Sequence, residues 1–297
     1  MQVTTQARPR AAIASAAGTC GELAQGVLPG GQRFHVTCPI DRGSRVSVRT
    51  APASRTTIAG LSPAMWKARR ALALAVELLE LSPQRIVVEH ASDLPAARGL
   101  ASSTADVVAT VRALAAAHDV ELDALTLARL AASIEPTDGV MFDGLAVVDQ
   151  LTGARLRRWA WWPQFHIAMF VPREQRETGR SGAPTDPRHA TEYADLLDCL
   201  DRAVGARDAE AFAAQATRSS LLNDVATPNR LLAELLPALD LVGGAGLCVG
   251  HSGTVCGVLF AGAHASEAAG QAVGDLLPAL PHGTIADVVA TPASPTP

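Results

Sequence analysis

The stretch DLPAARGLASSTADVV, residues 93–108, leads from a polar, proline-marked segment into an apolar helical pattern. Pro95 disfavours helix immediately before it, and Gly99 permits backbone conformations that other residues resist. Ser102 or Ser103 can cap the helix that follows. The free N–H groups and the positive dipole end of such a helix form a site for phosphate, and serine hydroxyls there can ligate Mg²⁺. An ordinary capped helix after a turn is the alternative interpretation at this point.

Two familiar phosphate loops do not match this stretch. A Walker A loop requires a Lys-Ser/Thr pair, and the dinucleotide fingerprint requires three spaced glycines directly after a strand. Neither pattern surrounds Gly99. A nucleotide bound here would therefore be held in another way.

Composition limits the remaining function classes. The chain has 297 residues, 48% of them hydrophobic and 18% charged, which is enough for a large core. Its net charge of −4 and dispersed arginines argue against a nucleic-acid partner. No apolar run has the length of a signal peptide or a membrane span, so we expect a cytoplasmic protein with no membrane partner. Five cysteines without a CxxC pair favour buried reduced thiols over disulfides or structural zinc.

The order of the patterns is typical of an α+β protein. Residues 13–50 predict antiparallel hairpins with turns at PGG and DRG, and Pro63 after Ser62 marks the start of a helix. Helices are also predicted at 102–118, 121–134, 190–240 and 264–277, and strands in RIVVEHA, GLAVVDQL, FHIAMFVP, GGAGLCVGHSGTVCGVLF and TIADVVA.

The same patterns suggest how the chain is divided. We expect a frayed N-terminus at 1–12, an N-terminal half at 13–160 that carries the phosphate loop, a C-terminal half at 161–290 and a disordered tail at 291–297. No flexible linker marks the boundary near residue 160.

The opening stretch resembles the second motif of the GHMP kinases, the superfamily named for galactokinase, homoserine kinase, mevalonate kinase and phosphomevalonate kinase. That motif is a proline, three residues, then Gly-Leu-x-Ser-Ser-x-Ala, and every fixed place is filled, by Pro95, Gly99, Leu100, Ser102, Ser103 and Ala105. Ala101 stands where many members carry a further glycine. The variant GLASSTAD resembles the branch that contains the L-threonine kinases of cobalamin biosynthesis.

Four further blocks resemble the same branch in the same order. They are GTCGELAQG at 18–26, VTCPID at 36–41, IEPTDG at 134–139 and GGAGLCVGHSGTVCGVLF at 243–260. The resemblance implies the GHMP kinase fold, with an N-terminal half like domain 2 of ribosomal protein S5 and a C-terminal ferredoxin-like half. It also implies that Mg-ATP binds between the halves and phosphorylates the hydroxyl of L-threonine.

The resemblance assigns roles to particular residues. Asp138 stands where many members have a catalytic aspartate, and Glu135 with Ser102 or Ser103 would hold Mg²⁺; a polar turn is the alternative for these acids. The phosphate-binding residues would be Pro95, Arg98, Gly99, Leu100, Ala101, Ser102, Ser103 and Thr104. The acceptor would be contacted by Thr19, Cys20, Glu22, Gln25, His251 and Ser252. Among these, the carboxylate of Glu22 would suit an amino group.

Other functions stay open at this level. GHS at 250–252 suggests a hydrolase nucleophile elbow, but Thr254 replaces its last glycine and a strand pattern follows. The acceptor could instead be homoserine, an amino alcohol or another small hydroxylated metabolite. A nucleotide or metabolite sensor that has lost turnover is the non-enzymatic alternative. The oligomeric state is open too, with a homodimer among the options.

Overall fold

The computed structural model describes residues 9–173, 186–251 and 254–292. Within these residues, ten strands join in one curled sheet, and helices cover it. The α+β class is confirmed. The predicted tail residues 293–297 and the first eight residues lie outside the described ranges.

A long hairpin forms the middle of the sheet. Strand β1 (Arg10–Val27) pairs antiparallel with β2 (Arg33–Pro52), and the Leu28 N–H donates to the Gln32 carbonyl across the PGG turn at 2.9 Å. The prediction of a turn at DRG is wrong. Residues 41–43 lie within β2, and the pairing of β1 with β2 is irregular beside them. Residues 10–12, predicted to be frayed, are paired in β1.

The N-terminal half completes its sheet around this hairpin. Its other elements are β3 (Thr57–Ala59), α1 (Trp66–Leu78), β4 (Gln84–Ser92), α2 (Ser102–Ala117), α3 (Ala124–Ala132), β5 (Ala146–Asp149) and β6 (Arg155–Arg158). The strand order is β1-β2-β4-β3, with β5 pairing with both β2 and β6. Helix α2 packs on β1 and β2 and buries most of its side chains there. Its N-terminus is thereby fixed relative to the sheet.

The C-terminal half has ferredoxin-like topology. Its elements are β7 (His166–Val171), α4 (Ala190–Ala206), α5 (Ala209–Asp224), α6 (Arg230–Leu235), β8 (Gly246–Val249), β9 (Cys256–Phe260), α7 (Ala265–Leu276) and β10 (Ile285–Ala290). The sheet order β10-β7-β9-β8 places its strands as fourth, first, third and second. That order is the split βαβ arrangement of ferredoxin-like folds, so the expected topology is confirmed.

Strand β1 joins the two halves. Glu22 on β1 pairs with Val249 on β8, directly after Gly21, whose φ is +65°. A Cβ at Gly21 would lie 2.3 Å from the Val249 carbonyl carbon, so only glycine permits this approach. The boundary near residue 160 falls between β6 and β7 and stays a prediction.

Two composition-based expectations can be compared with the coordinates. All five cysteines are free thiols, and all but Cys199 are buried. In the part of the chain that the structure describes, no helix combines the length and apolar character that a membrane crossing needs.

Candidate active site

The loop before α2 has a left-handed backbone at alternate residues. Ala97, Gly99 and Ala101 have φ values of +57°, +78° and +52°, while the residues between them are not in that region. Alternation of this kind turns successive backbone N–H groups toward one side and forms an anion-binding concavity. Many GHMP kinases have glycine at the position of Ala101, and glycine adopts this left-handed conformation without strain.

The serines do not cap α2. Its N-cap residue is Ala101, which makes no side-chain cap hydrogen bond, and Ser102 and Ser103 are the first two helical residues. The serine-cap interpretation is therefore wrong. The physical reason is the left-handed Ala101, which brings the chain into the helix one residue earlier.

The loop borders a cavity of about 370 Å³. Its lining includes four residues of the loop and the first three residues of α2: Arg98, Gly99, Leu100, Ala101, Ser102, Ser103 and Thr104. The start of α1, Glu135, Pro136, Asp138 and His251 are also part of the lining. Pro95 is not among the lining residues. The N-terminus of α2, the motif serines and both acids of IEPTDG thus meet at one cavity.

Glu135 is held by two side chains at the cavity wall. The Ser103 hydroxyl donates to Glu135 Oε1 at 2.5 Å, and Lys67 Nζ pairs with Oε2. Lys67, on α1, was not anticipated as a site residue. Lys67 is the only lysine in the sequence, where every other strongly basic side chain is an arginine. This contrast was the one feature of the sequence that could have drawn attention to it. Hydroxyl and carboxylate oxygens such as those of Ser103 and Glu135 are ligand types that Mg²⁺ prefers, and here both Glu135 oxygens are engaged by Ser103 and Lys67.

Asp138 is deeper in the same wall. It is 4% exposed, and its Oδ2 accepts a hydrogen bond from Thr104 Oγ1 at 3.0 Å. Thr104 belongs to the first turn of α2, so the phosphate loop and the aspartate are directly connected. Glu135 and Asp138 therefore contact two neighbouring α2 residues, Ser103 and Thr104.

Asp138 also belongs to a four-residue cluster, whose other members are Glu22, His35 and His251. His35 Nδ1 is 3.9 Å from both Glu22 Oε1 and Asp138 Oδ1, and His251 Nδ1 is 3.8 and 3.9 Å from the same oxygens. The imidazole rings face one another with centroids 4.9 Å apart. His35 was missed because it immediately precedes the VTCPID block, between the apolar Phe34 and Val36.

Burial decides the charges in this cluster. It raises the pKa of Glu22 well above its usual value, and the neighbouring Asp138 carboxylate adds to the rise. Burial also lowers the pKa of His35 to about 3, with a further contribution from His251. The lowered pKa of His35 leaves its imidazole uncharged at neutral pH.

The other predicted acceptor residues have mainly internal partners. The Thr19 N–H donates to the Leu100 carbonyl at 3.1 Å, and the Cys20 thiol is fully buried 4.0 Å from that of Cys248. Gln25 Nε2 donates to the Val249 carbonyl at 3.3 Å, so Gln25 fastens β1 to β8. Ser252 lies outside the described residues.

Comparison with known proteins identifies the relatives of this chain. Residues 65–148 match the family model for the GHMP kinases N terminal domain. The chain is 33% identical over 257 residues to the L-threonine kinase of Salmonella typhimurium, with 84% of this chain and 83% of that one covered. It is 32% identical over 258 residues to the L-threonine kinase of Citrobacter freundii, with 84% and 86% covered.

Solved structures share the fold at lower identity. A homoserine kinase from Cytophaga hutchinsonii superposes with a TM-score of 0.73, 17% identity and 98% of each chain covered. The L. major mevalonate kinase in complex with R-mevalonate has a TM-score of 0.67 and 13% identity, with 100% of this chain and 99% of that one covered. This chain accordingly belongs to the GHMP kinases, has their fold, and is a phosphotransferase with an alcohol group as acceptor.

Proposed function

We propose that this enzyme transfers the γ-phosphoryl group of Mg-ATP to the hydroxyl of L-threonine and yields O-phospho-L-threonine for the cobalamin side chain, in the cytoplasm. The observation that carries the proposal is the convergence of the loop amides, the Ser103–Glu135 pair and the Thr104–Asp138 pair on one cavity. The likeness to two L-threonine kinases over 84% of the chain supports the choice of acceptor.

The phosphate groups of ATP would lie against residues 98–104. Backbone N–H groups of the left-handed loop and the N-terminus of α2 supply partial positive charge there. Lys67, across the cavity, adds a full positive charge beside Glu135. A Walker lysine is therefore unnecessary in this loop.

Magnesium would be held by Glu135 and Ser103, with Ser102 adjacent on the same turn of α2. An ion held there would supply positive charge to the phosphate oxygens. The chain's own contribution is to hold the glutamate in place through Ser103 and Lys67 before any ligand arrives.

Asp138 would accept the proton of the acceptor hydroxyl as its oxygen attacks the γ-phosphorus and the bond to the ADP oxygen breaks. Thr104 fixes one carboxylate oxygen, so Oδ1 is the atom left to receive the proton. Because Asp138 is only 4% exposed, water has little access to the reacting groups.

Glu22 and His251 would orient the amino acid, because both side chains face Asp138 Oδ1 across short gaps. In this proposal Thr19, Cys20 and Gln25 do not contact the acceptor. Thr19 binds the phosphate loop, Cys20 packs against Cys248 in the core, and Gln25 binds β8. Their role would be to hold Glu22 at a fixed distance from Asp138.

A substrate panel tests the proposal. ATP consumption is followed with L-threonine, L-serine, L-homoserine and several amino alcohols, and the phosphorylated product is identified by mass spectrometry and ³¹P NMR. We expect L-threonine to have the highest kcat/KM. Faster turnover of another alcohol would replace the acceptor, and ATP binding without any turnover would identify a sensor.

Asp138→Asn tests the catalytic assignment. We expect turnover to fall by about 10²- to 10⁴-fold, the range for loss of a general base, while ATP binds nearly as before. Near-normal turnover would remove Asp138 from the mechanism.

A further inference from the structure

We propose that the four-residue cluster binds one divalent transition-metal ion, at a site separate from the magnesium position at Glu135. The ligands would be the carboxylates of Glu22 and Asp138 and the Nδ1 atoms of His35 and His251. The residues come from β1, β2, the IEPTDG turn and the turn after β8, which are far apart in sequence.

The spacing of the four atoms is close to that of a coordination shell. Each imidazole Nδ1 lies 3.8–3.9 Å from the two carboxylate oxygens, and one donor atom from each residue lies within 4.8 Å of the other three. A point equidistant from such atoms is about 2.5 Å from each, whereas bonds from zinc to nitrogen and oxygen are about 2.0–2.2 Å. Side-chain movements of less than about half an ångström would close the difference.

The cluster also lacks the hydrogen bonds that buried polar groups normally make. Glu22 is 1% exposed and neither of its oxygens has a hydrogen-bond partner among the described residues; the same is true of Nδ1 of His35, which is 2% exposed. Most buried polar atoms in proteins are partnered. An ion between these side chains would satisfy the Glu22 carboxylate and the His35 nitrogen together.

The donor types select the ion. Two imidazole nitrogens with two carboxylate oxygens favour Zn²⁺ or Co²⁺, whereas Mg²⁺ prefers oxygen ligands such as Ser103 and Glu135. The ammonium group of an amino acid is the rival occupant. Its nitrogen needs about 2.8–3.0 Å to each acceptor, so the cluster would have to expand to admit it.

Occupancy would affect Asp138. Its Oδ2 is held by Thr104, so coordination through Oδ1 would leave no oxygen free to accept a proton. The expected consequence is that micromolar Zn²⁺ inhibits turnover in the presence of millimolar Mg²⁺. This consequence rests on the proposed function, but the binding of the ion does not.

Cobalt titration tests the binding directly. Chelator-treated full-length protein in excess Mg²⁺, without nucleotide, is titrated with Co²⁺ and the visible absorption is recorded. We expect one equivalent of Co²⁺ to give the intense bands of a four-coordinate ion, and Zn²⁺ to displace it. His35→Gln should weaken Co²⁺ binding by about 100-fold or more, because outer-shell changes alone cost about 10–100-fold.

The matched control is His90→Gln. His90 forms another imidazole–carboxylate pair, with Nε2 2.7 Å from Asp106 Oδ1, and lies outside the cluster. We expect this variant to bind Co²⁺ as the wild type does. Loss of the bands in His90→Gln would place the ion elsewhere and overturn the proposal.

The proposal would also be overturned if the wild type formed no stoichiometric Co²⁺ complex. It would be overturned as well if His35→Gln bound Co²⁺ as tightly as the wild type while circular dichroism showed the variant to be folded. Should His35→Gln fail to fold, His251→Gln provides the same test, since its side chain is 14% exposed at the turn. The readout uses no ATP, so failure of this site and failure of the kinase assignment are distinguishable.

Discussion

Thr104 and Asp138 are joined by a buried hydrogen bond, in which the threonine Oγ1 donates to the aspartate Oδ2 at 3.0 Å. Thr104 is in the first turn of α2, and Asp138 follows α3, so the bond connects the phosphate loop with the proposed base. The aspartate is therefore positioned by the same helix whose N-terminus faces the phosphate cavity.

Thr104→Val should separate positioning from binding. The valine keeps the shape but removes the donor, and a hydrogen bond to a charged group contributes roughly 1.5–3 kcal/mol, or about 10- to 100-fold in rate. We expect kcat to fall within that range while the KM for ATP changes little. Thr104→Ser, which retains the hydroxyl, should recover most of kcat. An equal loss in both variants would indicate a packing defect instead.

Lys67 should matter for ATP through its charge. Loss of a charge-assisted contact costs roughly 1.5–3 kcal/mol, so we expect Lys67→Met to lower kcat/KM for ATP by about 10- to 100-fold. Lys67→Arg keeps the charge and should retain more activity. Steady-state kinetics at saturating acceptor measure the effect, and wild-type values for Lys67→Met would exclude Lys67 from the ATP site.

The single lysine permits an independent chemical test. A lysine-selective acylating reagent can modify one side chain only, at Lys67, besides the N-terminal amine. We expect Mg-ATP to slow acylation of the Lys67 peptide, as followed by mass spectrometry, because phosphate would cover the amine. Acylation of the N-terminal peptide is the internal control. Equal rates with and without Mg-ATP would contradict the placement of ATP beside Lys67.

Ala101→Gly should leave the fold intact and stabilise it. A left-handed conformation costs a non-glycine residue about 1–2 kcal/mol, and the extra freedom of glycine in the unfolded chain offsets about 0.4–1 kcal/mol of that. We therefore expect the free energy of unfolding to rise by up to about 1.5 kcal/mol. Ala116→Gly, at an exposed position of α2, is the matched control and should lose about 1 kcal/mol. Destabilisation by Ala101→Gly would contradict the positive φ at this residue.

Gly21→Ala should test the junction of β1 with β8. The added methyl group would meet the Val249 backbone at 2.3 Å in addition to the strain of a positive φ, so we expect a loss of roughly 2–5 kcal/mol in urea unfolding. Gly243→Ala isolates the strain, because Gly243 has φ +67° with nothing within 4 Å of its Cβ position. Equal losses in the two variants would mean that the close approach is not maintained.

Local patterns were sufficient for much of this protein. Pro63 after Ser62, the alternation in RIVVEHA and the motif around Gly99 each depend on neighbouring residues, and the corresponding elements form. The kinase class followed from the ordered motifs and is confirmed by the relatives. The roles of Asp138 and Glu135 remain predictions.

The features that were missed depend on distant partners. Lys67 meets Glu135 across 68 positions, and His35 meets Asp138 and His251 only after β2 is placed beside the IEPTDG turn. The DRG segment has turn residues, yet pairing with β1 holds it in a strand. Similarly, serine is a favoured N-cap residue, but Ala101 in its left-handed conformation is the N-cap of α2, and Ser102 is the first helical residue.

Because β1 pairs with β2 of the N-terminal half and with β8 of the C-terminal half, the protein suits fragment complementation. Cutting the gene between codons 160 and 161 would leave Glu22, His35 and Asp138 on one polypeptide and His251 on the other. The second fragment would also expose the β8 edge that β1 normally covers at Glu22 and Val249. Phosphoryl transfer by the mixed fragments would then report their reassociation, and the enzyme could serve as a split reporter for molecules that bring two fused partners together.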